Sequence, residues 1–149
     1  MRLWSQQLIP YLDRQRLLGQ HRECAALRGK GWSRKHSVVD YVFTYSPSFL
    51  IAYHYLIMDE MKARGYNPDS VWRNLDWRGN VLGEQIGWAP ADLVNQIYEK
   101  AKEGHVIYDE HNSDYLQECI DILRTKGVEI KNDSCSLENY NHSSSRKKL

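Results

Sequence analysis

Apolar residues recur at helical spacing in four stretches of the chain. Leu17, Leu18, His21, Cys24, Ala25 and Arg28 fall three or four residues apart, which places them on one face of a helix. Pro10 and Asp13 open that helix, and Gly29-Lys30-Gly31 stops it. Ser46-Pro47 is a second start, a capping hydroxyl followed by proline at the first helical position. Phe49, Ala52, Tyr53, Leu56, Ile57 and Met61 form its broad apolar stripe, and Gly65 closes it. Pro90 begins a third helix through Leu93, Val94, Ile97, Tyr98 and Ala101, ended by Gly104. Asn112-Ser113-Asp114 caps a fourth through Tyr115, Leu116, Cys119, Ile120 and Leu123, ended by Gly127.

The connecting stretches are polar or irregular. Ser37 to Tyr45 reads as extended or irregular. Residues 66–88 hold Gly, Pro, Asn and three tryptophans, so they read as a long loop pinned by Trp72, Trp77 and Trp88. From about Lys131 the chain is Asn-, Ser- and His-containing and ends in a basic run, the composition of a disordered tail. The fold class expected is all-α: a single compact helical domain with long loops over 1–130, and a flexible polar tail over 131–149.

Length and composition fit that domain. At 149 residues the chain can bury a core without a metal or disulfide. Its 42% hydrophobic and 26% charged content excludes wholesale disorder, collagen and disulfide scaffolds. Three cysteines without a CxxC, Cys24, Cys119 and Cys135, suit a reducing compartment. The start lacks the apolar core of a signal peptide, and the longest uncharged run, Tyr41 to Met58, is too polar to span a membrane. The expectation is a cytoplasmic protein with no membrane partner.

Charge changes the picture once it is divided along the chain. The overall balance is +1, yet residues 1–45 hold eight Lys/Arg against three Asp/Glu. The basic third points to a phosphate-bearing partner or, more plainly, to a solvated face. Two features stand out within it. Glu23 follows Arg22 beside the apolar stripe, one turn after Gly19 and two after Arg16. Glycine inside a helix costs about 1 kcal/mol against alanine, and open space in front of a carboxylate is a plausible return. With Arg16, Arg22 and Arg28 around it, Glu23 could act as an acid/base at a phosphate-binding surface, or form ordinary ion pairs. The second feature is the loop Lys30 to His36, where Trp32 sits among Arg34, Lys35 and His36. Basic residues beside an exposed aromatic suit nucleic acid; the same tryptophan could equally plug the core. His21 and Cys24 are three apart but lack a matching second ligand pair, so no metal is expected.

Several stretches together resemble the pyrimidine-dimer DNA glycosylase family, the phage-type endonuclease V. They are Gln15-Arg16-Leu17-Leu18-Gly19-Gln20-His21-Arg22-Glu23, Arg34-Lys35-His36, Ser46-Pro47-Ser48-Phe49, and Glu60 through Arg64-Gly65-Tyr66-Asn67, in the family's order and spacing. The resemblance covers about the first 67 residues. It implies a small all-α monomer that binds double-stranded DNA, excises the 5′ pyrimidine of an ultraviolet dimer and nicks the backbone without a cofactor. It also implies that the N-terminal α-amine attacks deoxyribose C1′ to leave a Schiff base, that Glu23 assists ring opening and proton transfers, and that β-elimination cuts the strand. Residue 2 is Arg, whose bulk opposes removal of Met1, so the amine belongs to Met1, or to Arg2 after processing. The expected site is Met1, Arg2 and Glu23 for catalysis, with Gln15, Arg16, Arg22, Lys30, Arg34, Lys35 and His36 on DNA. Two rival readings are a non-catalytic DNA- or RNA-binding module on the same fold and an unrelated helical protein whose Trp-rich loop docks a partner.

Overall fold

The computed structural model describes residues 1–35 and 38–130. The tail expected over 131–149, Cys135 and His36 lie outside the described residues. Among the described residues the regular structure is helical, apart from an isolated antiparallel bridge between Trp77 and Glu84. The helices are α1 (Arg14–Arg28), α2 (Pro47–Ala63), α3 (Gly79–Leu82), α4 (Ala91–Lys102) and α5 (Ser113–Thr125). Short 3₁₀ turns cover Gln6–Tyr11, Asp40–Thr44 and Ser70–Arg73. No described helix is long and apolar enough to cross a membrane.

α2 is the central helix, with α1 and α4 packed against it. Its start is as the sequence implies: Ser46 Oγ accepts the Ser48 N–H at 3.2 Å and Pro47 occupies the first turn. Gly65, at φ +86°, closes it in a conformation that a side chain would strain. The stripe expected on α2 proves too narrow. Leu50, Ile51, Tyr55 and Met58 are buried as well, whereas Phe49 and Leu56 are half-buried. A helix packed from several sides is apolar nearly all round, so its sequence does not show a single face. α4 and α5 are amphipathic as read; Val94, Ile97 and Ala101 are buried on one, and Leu116, Cys119, Ile120 and Leu123 on the other. Asn112 caps α5 by accepting the Tyr115 N–H at 2.9 Å.

One boundary differs from the sequence reading. Pro10 does not open α1; it lies inside the Gln6–Tyr11 turn, and α1 begins after Asp13. The segment before α2 contains the Asp40–Thr44 turn, so it is irregular but not extended. The stop after α1 follows from close approach. A Cβ on Gly31 would lie 2.7 Å from the Ala26 carbonyl oxygen, so only glycine lets the chain fold back there.

The larger correction concerns Arg28. It is not beside Glu23 on a phosphate-binding surface; it is 0% exposed. Its guanidinium donates to the carbonyls of Trp72 (2.8 Å), Asn74 (2.9 Å) and Trp77 (3.0 Å), and lies 3.0 Å from His54 Nδ1. Burial brings its pKa down to about 10, so it stays charged at neutral pH. One buried cation thereby fastens the 66–78 segment to α1. Arg78 reinforces the join by donating to the Arg28 and Gly29 carbonyls. Trp32 also resolves toward the core, meeting Phe43 and Trp88 edge-on at 5.0 and 5.4 Å.

Candidate functional site

α1 presents Gln15, Arg16, Gly19, Arg22 and Glu23 to a cleft of about 480 Å³. Met1, Arg2 and Trp4 form another wall, Val38 a third, and Ile122 and Lys126 from the end of α5 complete it. Met1, Arg2, Gln15, Arg16, Arg22 and Glu23 of the expected site therefore share one concavity. Lys30, Arg34 and Lys35 are exposed on the loop after α1 and do not line it.

The N-terminal segment is held in place by buried polar bonds. Gln20 accepts the Trp4 N–H at 2.7 Å and donates to the Arg2 carbonyl at 2.9 Å. Tyr53 Oη donates to the Trp4 carbonyl at 2.6 Å. The Gln6 N–H donates to His111 Nδ1 at 3.2 Å, while the Gln6 side chain bonds the His105 carbonyl and the Ile107 N–H, both at 2.8 Å. Since His111 Nδ1 accepts, the neutral ring carries its proton on Nε2 and donates to Tyr41 Oη at 2.8 Å. Tyr41 is bonded to Tyr115, whose hydroxyl donates to the Leu3 carbonyl at 2.5 Å. Burial pushes His111 down to about 3, which keeps the ring neutral in this chain of donors.

Among the described residues that line the cleft, Glu23 is the one carboxylate, against Arg2, Arg16, Arg22 and Lys126. It is half-buried, and that desolvation raises its pKa above the ordinary carboxylate value. The Met1 ammonium, Arg22, a 2.8 Å bond from Gln20 and the Arg2 N–H pull the other way without cancelling it. The α-amine is thus close enough for its charge to act on the Glu23 carboxylate. Gly19 leaves room in front of them: a Cβ there would meet only an Arg22 guanidinium nitrogen, at 3.7 Å.

The cationic residues are not equivalent. Arg2 is ion-paired to Glu118 at 2.9 Å and lies over the Trp4 and Tyr115 rings. Arg16 reaches Asp13 at 3.4 Å. Arg22 is exposed at the cleft mouth. Among the described residues no group of three or more His, Cys, Asp or Glu is placed to hold a metal ion.

The family model of pyrimidine dimer DNA glycosylase matches residues 1–74. The chain belongs to that family. Membership makes DNA its substrate, and the matched residues include every expected site position from Met1 to His36. No curated protein and no solved structure matches the chain significantly. Ile122 and Lys126 lie beyond the family match. Sequence reasoning missed these two, with Trp4 and Val38. Nothing in their local pattern marks them, because only the docking of α5 brings that helix end to Glu23. Gln20 was legible only as part of the motif; its role depends on bonds to the chain start.

Proposed function

We propose that this family member is a DNA-repair glycosylase with abasic-site lyase activity, acting through the N-terminal amine of Met1 and the carboxylate of Glu23. The observation that carries the reading is that both groups line one cleft and interact electrostatically there. An α-amine is intrinsically less basic than a lysine ε-amine, which makes it the better suited of the two to nucleophilic attack near neutrality.

The amine lone pair attacks deoxyribose C1′, and the damaged pyrimidine leaves with the glycosidic electron pair and takes up a proton. Loss of a proton from nitrogen and opening of the C1′–O4′ bond give the iminium. Glu23 serves both steps, receiving the proton from nitrogen and delivering one to O4′. A half-buried carboxylate with a raised pKa exchanges protons nearer neutrality than an exposed one. The ionised form then stabilises the cationic iminium beside it. Removal of a C2′ proton expels the 3′ phosphate with its electron pair and cuts the strand. Arg22 at the mouth, with Lys30, Arg34 and Lys35 on the neighbouring loop, would hold phosphates of the duplex. Extrusion at a dimer is helped by stacking the lesion has already lost.

The deciding experiment is borohydride trapping on duplex carrying an abasic site, read by intact mass and peptide mapping. A covalent adduct on the first residue supports the mechanism, and prior acetylation of the α-amine abolishes it. An adduct that persists after acetylation assigns the nucleophile to a lysine and overturns it. Duplex binding with neither trapping nor cutting favours the non-catalytic binding module.

A further inference from the structure

The chain start and the candidate acid/base meet through one buried amide. Gln20 is 1% exposed and does not itself line the cleft. Its Nε2 donates to the Arg2 carbonyl at 2.9 Å and to Glu23 Oε2 at 2.8 Å. Its Oε1 accepts the Trp4 N–H at 2.7 Å and lies 2.9 Å from Tyr53 Oη. A carboxamide has two N–H donors and an acceptor oxygen; here both N–H groups donate and the oxygen accepts the Trp4 N–H, while the single Tyr53 hydroxyl proton goes to the Trp4 carbonyl. The orientation is therefore fixed, because a half-turn of the amide would set its NH₂ against the Trp4 N–H.

The spacing makes this possible. Gln20 precedes Glu23 by three residues, so the two lie on one face of α1. The same amide grips the N-terminal backbone at Arg2 and at Trp4, on either side of Leu3. The segment carrying the α-amine is thus fastened to the group that also fastens Glu23. We infer that Gln20 is a positioning residue that sets the reach between the N-terminal amine and the Glu23 carboxylate. Its chemical consequence rests on the proposed function, while its geometric consequence does not.

Two variants separate these consequences. Gln20→Met keeps the length of the side chain and removes every hydrogen bond. Gln20→Glu keeps an acceptor for the Trp4 N–H and replaces the donor facing Glu23 with an oxygen. Each is compared with wild type by thermal unfolding, duplex affinity, single-turnover cutting of abasic DNA at saturating protein across pH, and carboxyl-carbon NMR titration of Glu23. Met1, Arg2, Arg16, Arg22 and Cys24, with Lys126 from the end of α5, are the charged or titratable groups that share the cleft with Glu23 or act on or feel it, and all are unchanged. The expected result is duplex affinity within about twofold of wild type and cutting about 10- to 100-fold slower, the scale of an ångström misplacement. The Glu23 titration and the acidic limb of the rate profile move to higher pH, further in Gln20→Glu because of the adjacent like charge. A folded Gln20→Met that cuts and titrates as wild type overturns the inference, as does a slower rate explained wholly by weaker affinity. If Gln20→Met does not fold, Gln20→Glu decides by the same readings. If wild type neither traps nor cuts, the proposed function falls, and an unshifted Glu23 titration in the variants then overturns the role of Gln20 as well.

Discussion

Arg28 lies 3.0 Å from His54 Nδ1, and this pairing fixes the direction of a proton chain that runs outward to His21. A guanidinium only donates, so Nδ1 accepts and the neutral His54 ring carries its proton on Nε2. That proton points at His21 Nδ1, 2.8 Å away. Both rings are therefore held neutral with defined tautomers, and burial pushes both pKa values down, His54 well below its ordinary value.

Acid should unfold the protein through these rings. A histidine whose folded pKa is depressed contributes stability that is present above its unfolded value near 6.5 and is lost as pH falls toward the folded value. His21, His54 and His111 all have this sign, and His111 continues down to about 3. Urea unfolding from pH 7 to 4 should show stability falling by up to about 1.4 kcal/mol per pH unit for each histidine that must charge. A flat profile would contradict the neutral chain.

Glu23 has the opposite sign. Its folded pKa is raised, so its contribution is greatest below its unfolded value near 4.5 and is lost as pH rises through the folded value. Glu23→Gln should therefore be at least as stable as wild type at pH 7, with the advantage vanishing by about pH 4. Strand cutting should fall by about 10²-fold or more while duplex affinity is kept. A Glu23→Gln protein that cuts normally would remove Glu23 from the mechanism.

Replacing Arg28 with methionine should be severe although the residue is far from the cleft surface. The carbonyls of Trp72, Asn74 and Trp77 would lose their donor inside the protein. Each unsatisfied group costs about 1–3 kcal/mol, so the expected loss is at least about 3 kcal/mol in urea unfolding. The 66–78 segment should become the first site of limited proteolysis.

Gly19→Ala tests the space before Glu23. The protein itself has room for the methyl group, and alanine favours the helix by about 1 kcal/mol. The variant should melt no lower than wild type yet bind or cut abasic duplex less well, because the methyl projects into the cleft. Unchanged activity would show that substrate does not enter there.

Arg34 and Lys35 stand outside the cleft, exposed on the loop after α1. Changing both to alanine should weaken duplex binding equally across sequences. It should also flatten the slope of log affinity against log salt by about 0.9 for each phosphate no longer neutralised. Wild-type affinity indifferent to salt would argue against a duplex-binding face.

α4 and α5 were legible in the sequence because each buries one side, so helical periodicity reports them directly. α1 was legible in extent but less so in its facing, since Gln20 and Arg28, two polar residues, take core positions. Nothing local distinguishes a buried arginine from a surface one; the carbonyls it satisfies lie 44 to 49 residues away. The cleft was half legible for the same reason. Met1, Arg22 and Glu23 could be joined through the family motif, while the wall from α5 exists only after long-range docking.

The chain start is tied to residues far downstream, with Leu3 held by Tyr115 and Arg2 by Glu118. In a growing polypeptide Arg2 and Leu3 therefore wait for more than a hundred further residues before their surroundings are complete. Until α5 has emerged and docked, the amine and Glu23 lack that wall. An appendage fused ahead of Met1 would occupy the same cleft. The useful place for a purification tag is therefore the opposite end of the chain.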